Sequence, residues 1–133
     1  MTDKSKKILS EVSAGELLDK ISILEIKLVK IKNENDLNFI KKEYEILKKT
    51  QDTFIKTDDE ILSLFNMLKD INLKLWNIED KLRICEKNKD FKEEFVKLAR
   101  EVYLTNDKRA NIKLKINTII GSDIREIKQY IKY

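Results

Sequence analysis

The sequence predicts an all-α protein, either an antiparallel helical bundle or a set of long helical hairpins with coiled-coil-like packing. Three observations carry that expectation. The 133 residues include two glycines and no proline, so little interrupts a helix. Apolar residues recur at alternating spacings of three and four, which is the period of one helix face and not of a strand. Polar clusters able to cap helices fall between the periodic segments. A chain of this length buries about two thirds of its unfolded surface, so residues 1–133 are read as one domain.

Residues 1–12 are polar and carry no cap, and are expected to form a loosely held arm. Ser13-Ala14-Gly15-Glu16 has the spacing of a capping box and opens a helix near 14–33. Its stripe is Leu17, Ile21, Leu24, Leu28 and Ile31. Asp36 is the expected cap of a second helix near 37–56, with Leu37, Ile40, Tyr44, Leu47 and Phe54 on one face and Gln51 as a polar member. Thr57-Asp58-Asp59-Glu60 repeats the capping signature before a third helix near 58–88. Its stripe of Ile61, Leu64, Leu68, Ile71, Leu75, Ile78, Leu82 and Cys85 is unbroken. A fourth helix near 91–120 aligns Phe91, Phe95, Leu98, Val102, Thr105, Arg109, Ile112, Ile116 and Ile119. Gly121 supplies a left-handed stop, and Ser122 can cap a short last helix near 123–131 carrying Ile124, Ile127 and Ile131. Helices three and four are long for a small monomer, and their sustained heptads predict a homodimer.

Composition excludes several chemistries. With no histidine and one cysteine, the chain builds no Ser/His/Asp or Cys/His triad, no intramolecular disulfide and no Cys/His zinc site. The net charge of +4 arises from 28 basic and 24 acidic residues, a near cancellation that argues against a nucleic-acid track. No apolar run approaches the ~20 residues of a membrane span. A cytoplasmic protein is the expectation. Lysine outnumbers arginine 24 to 4, so each arginine is informative.

Two features depart from a plain bundle. On the third helix a second stripe runs Asn72, Trp76, Glu79, Arg83, Glu86, Asp90, beside the apolar seam. A solvated flank of paired charges explains it equally well, although Trp76 at the core edge also suits a pocket wall. On the fourth helix Arg109 occupies an apolar seam position, where a guanidinium needs an anion. Glu79 or Glu86 is the expected partner if the role is structural, and a ligand carboxylate or phosphate if it is not. Arg100, Tyr103, Asn106, Asp107, Lys113 and Asn117 fall near it. Helix one offers a rim of Glu16, Lys20 and Lys27, with Asp19 and Glu25 on other faces.

The strings Gly15-Glu16-Leu17-Leu18-Asp19-Lys20-Ile21-Ser22-Ile23-Leu24-Glu25-Ile26-Lys27, Leu75-Trp76-Asn77-Ile78-Glu79-Asp80-Lys81-Leu82-Arg83 and Val102-Tyr103-Leu104-Thr105-Asn106-Asp107-Lys108-Arg109-Ala110 resemble a bacterial family of small all-helical proteins of unknown function. That resemblance covers nearly the whole chain and implies no assigned activity. The chain also resembles all-α nucleotide pyrophosphatases of the MazG kind, which implies magnesium held by acidic pairs. Glu16 and Asp19 match one pair, with Glu79 as a further acid, but the second acid-x-x-acid pair is missing. Helical chorismate mutases share residue types around a dicarboxylate, without a motif match.

The reading that follows is a site between helices one, three and four that binds a small anion, phosphorylated or not, without a cofactor. Arg83, Arg109 and Lys113 hold the anion, with Lys20 at the rim. Asn106 and Tyr103 orient it, Trp76 forms a wall, and Glu79 positions Arg83. The alternatives are a non-catalytic dimerisation module whose polar stripes specify helix pairing, and a magnesium-dependent phosphohydrolase using Glu16, Asp19 and Glu79.

Overall fold

The computed structural model describes residues 6–133 and contains four helices: α1 (Ala14–Lys30), α2 (Glu34–Phe54), α3 (Asp59–Lys87) and α4 (Glu93–Ile120). The first five residues of the expected N-terminal arm lie outside the described residues; residues 6–12 are non-helical and exposed.

Local chemistry sets the boundaries. Ser13 Oγ accepts the Glu16 amide at 3.2 Å, but the Glu16 carboxylate turns to Lys113 and leaves the capping box half closed. Helix α2 begins earlier than expected because Asn33, not Asp36, is its cap, with Asn33 Oδ1 accepting the Asp36 amide at 3.0 Å. Asp58 caps α3 by accepting the Ile61 amide at 2.9 Å. Its neighbour Thr57 instead accepts from the buried Gln51 amide at 3.0 Å, and that contact helps hold the break between α2 and α3. Helix α4 starts at Glu93 without a side-chain cap. Gly121 ends it at φ 80° and ψ 40°.

The expected last helix is absent. Residues 123–131 are irregular and exposed; Ile127 and Ile131 stay 82% and 94% exposed, so little burial supports a helix, and a segment this short does not hold helical form unaided.

Helices α3 and α4 form a long hairpin joined by residues 88–92, with Lys89 in the left-handed region at φ 52°. Helix α1 lies across the root of this hairpin and packs on all three other helices, whereas α2 has α1 as its sole helical neighbour. The main core gathers Leu17, Leu18 and Ile21 of α1 with Ile61, Leu64, Phe65 and Leu68 of α3 and Ile112 and Ile116 of α4. Past Asn72 the hairpin continues for 15 residues of α3, about 22 Å at ~1.5 Å per residue. Only a small second cluster of Ile78, Cys85 and Leu98 is buried there.

Candidate functional site

Where α1 crosses the hairpin, the interface is polar. Residues Gly15, Asp19, Ser22 and Ile26 share one buried stripe of α1 at spacings of four, three and four. Its first member permits a close approach to α4: a Cβ on Gly15 would stand 2.6 Å from the Lys113 carbonyl oxygen and 2.9 Å from Asn117 Oδ1. With no side chain in the way, the Gly15 amide donates to Asn117 Oδ1 at 2.7 Å, and the Ala14 amide donates to Ser122 Oγ at 3.0 Å. Two N–H groups left unpaired at the helix start are thereby satisfied from another element.

That approach brings the Asp19 carboxylate, 1% exposed, against Arg109. Arg109 Nε donates to Asp19 Oδ1 at 3.0 Å and Nη2 donates to Oδ2, the two-point geometry that a guanidinium offers a carboxylate. From α3, the Asn72 amide donates to Asp19 Oδ1 and to Ser22 Oγ, each at 2.8 Å, and Ser22 Oγ donates to the Asp19 carbonyl at 2.7 Å. The hydrogen bond to Asp19 holds the Arg109 guanidinium above its usual pKa despite the opposing effect of burial.

One turn along α4, Lys113 Nζ reaches Glu16 at 2.8 Å, Glu126 at 3.2 Å and Asp19 at 3.7 Å. Burial alone would pull this ammonium down, but its carboxylate partners outweigh that and hold it above the ordinary lysine value. The same contact holds Glu126 below the ordinary carboxylate value. Three carboxylates thus surround two cations, and Lys113 has no charge to spare for an outside anion.

Arg109 keeps more capacity. Its Nη1 donates to Asn106 at 3.4 Å, so three of its five N–H donors have partners among the described residues. It lines a groove of about 740 Å³ between α4 and the C-terminal segment, together with Tyr103, Asn106, Asp107, Lys128 and Tyr130. Tyr133 closes one end, its ring edge-to-face on Tyr103 at 5.5 Å and its hydroxyl donating to Asp107.

The other candidates lie apart. Arg83 pairs with Glu79 on the exposed surface of α3, 11 residues beyond Asn72, or about 16 Å along the axis at ~1.5 Å per residue. Trp76 is half-buried between them, and Lys20 is exposed. Arg109 therefore takes its anion from Asp19 of α1, not from Glu79 or Glu86. The signal for Asp19 was the 4, 3, 4 stripe of α1 itself, interleaved with the apolar one. Glu16 and Asp19 do not meet Glu79, and among the described residues no group of three or more carboxylate, thiol or imidazole side chains is placed to hold a metal ion.

These elements define a four-helix protein whose longest hairpin is clamped at its root by a buried carboxylate–guanidinium pair. No helix among the described residues is long and apolar enough to cross a membrane. The chain belongs to a family of unknown function, DUF6165, whose model matches residues 8–132. Neither the curated proteins nor the solved structures include a match to it.

Proposed function

We propose that the protein is a binding module for a small anion and that its site is the groove between α4 and the C-terminal segment. The observation that carries this reading is the convergence of Tyr103, Asn106 and Arg109 with Lys128 and Tyr130 on one groove. The two N–H donors of Arg109 without partners among the described residues suit a carboxylate or phosphate oxygen. Lys128 brings a second cation, held 3.7 Å from Glu126, Asn106 a neutral polar contact, and Tyr103 and Tyr130 aromatic surface for an organic body. The one carboxylate side chain lining the groove, Asp107, is engaged by the Tyr133 hydroxyl. The inner half of Arg109 is committed to Asp19, which fixes the guanidinium before any ligand arrives and lowers the ordering cost of binding.

Thermal unfolding with pyrophosphate, citrate, AMP and glucose 6-phosphate tests the reading. A ligand at ten times its Kd adds about 1.4 kcal/mol of stability, a rise of about 5 °C for a chain of this size. The expected result is such a rise with at least one probe, lost in Lys128→Ala and in Tyr103→Ala, neither of which is a core residue. No shift with any of the four probes, or a shift that both variants retain, overturns it.

A further inference from the structure

The groove that α1 fills at the root of the hairpin continues past it without a covering helix. Its floor on the projecting arm is Leu82, Phe95, Ala99 and Val102, and its α3 edge is Glu79, Arg83 and Glu86, around a space of about 620 Å³. Leu82, Phe95 and Val102 are only half-buried there. Two helices alone leave one face of their shared seam open, and packed helical layers close such a face with further helices.

We infer that a second copy of this chain covers it, arm against arm, forming a local four-helix bundle about a two-fold axis. The charge pattern of the α3 edge is self-complementary in that arrangement. With α3 antiparallel to its partner and the axis passing between Glu79 and Arg83, Glu79 meets Arg83 of the partner subunit and Arg83 meets the partner's Glu79. The intramolecular Glu79–Arg83 pair then becomes one corner of a four-charge network, and closely opposed charges of this kind fix register.

Arm length agrees with the same axis. Helix α3 ends at Lys87, six residues past the midpoint, or about 9 Å at ~1.5 Å per residue. The partner's helix end therefore reaches the level of Leu75, just past Trp76, and stops short of the Asn72 contact with α1. Trp76, half-buried and outside the anion groove, becomes an anchor at each end of the interface. Val102 lines both this space and the anion groove, but the inference rests on the arm's own geometry and not on anion binding.

Light scattering behind size exclusion tests it with the full chain at 20 μM, using Glu79→Arg and Arg83→Glu, both surface changes whose folding is checked by circular dichroism. The expected masses are twice 15.8 kDa for the wild type and 15.8 kDa for each variant alone. An equimolar mixture of the two variants restores the doubled mass, because unlike charges face each other again. A monomeric wild type at 20 μM overturns the inference. So do variants that both remain dimeric, or a mixture that stays monomeric.

Discussion

Asp19 and Arg109, 90 positions apart, form a two-point ion pair in which the carboxylate is almost wholly withdrawn from water and the guanidinium keeps one edge outside. Removing Arg109 leaves the buried carboxylate with only Lys113, at 3.7 Å, as counter-charge, whereas removing both partners removes that demand. Arg109→Met is expected to destabilise the fold by about 3–5 kcal/mol, the range for breaking a buried pair. The double variant Asp19→Leu/Arg109→Met is expected to lose less than the sum of the single changes. Urea unfolding of the three variants measures the coupling, and additive losses would contradict the pairing.

Gly15 tests the close approach of α1 to α4. Glycine to alanine within a helix ordinarily stabilises by about 0.5–1 kcal/mol. Here the added Cβ meets a backbone carbonyl oxygen at 2.6 Å, and backbone cannot swing aside as a side chain can. Gly15→Ala is therefore expected to destabilise, by about 1–3 kcal/mol as overpacking does. A midpoint in urea that rises instead would show that α1 moves away without loss.

The C-terminal segment has a defined acid sensitivity. Glu126 is held below its ordinary pKa of 4.5 by the hydrogen bond from Lys113, so its contribution is complete above pH 4.5 and falls away as pH drops through the depressed value. The Lys113 contribution, from a raised pKa, is present below the ordinary lysine value and is lost as pH rises through the value in the folded protein. Amide NMR of residues 122–133 is expected to show the segment loosening below pH 4.5. Glu126→Gln should loosen it already at pH 6, and identical spectra of the variant and wild type at pH 6 would reject the tether.

Helix α2 is the least supported element. Its sole helical neighbour is α1, and its one fully buried residue is Gln51. Hydrogen exchange is expected to be faster in the middle of α2 than in the middle of α1, since local opening follows the buried contacts that hold a segment. Equal protection of the two helices would contradict this.

Periodicity made the four helices legible because each buries an apolar stripe against a neighbour. It failed at 123–131, where Ile124, Ile127 and Ile131 have helical spacing but all remain exposed. Arg109 was legible as a group in need of an anion, since arginine on an apolar seam carries its own electrostatic demand. The identity of that anion was not. Glu79 and Glu86 lie beside the apolar seam of α3, Asp19 reads as a residue of another face of α1, and which helices face each other at the crossing is a tertiary fact. Asp19 was hidden because α1 buries two adjoining stripes, and a single-stripe pattern assigns the second one to solvent.

The contacts that seat α1 also order the events of folding. Gly15 joins Asn117 across 102 residues, Lys113 joins Glu16 across 97 and Arg109 joins Asp19 across 90, so each closes a loop of most of the chain. During synthesis α1 leaves the ribosome before α3 and α4, and meets its full set of partners only once α4 has followed. Until α4 arrives, the Asp19 carboxylate has at most the Asn72 amide of α3 and no opposite charge to bury it against. The α3–α4 hairpin, whose seam is local, can form before α1 docks. Closure by α1 is then the step that commits the molecule, and the rate of that long-range closure sets how long the hairpin's root stays open.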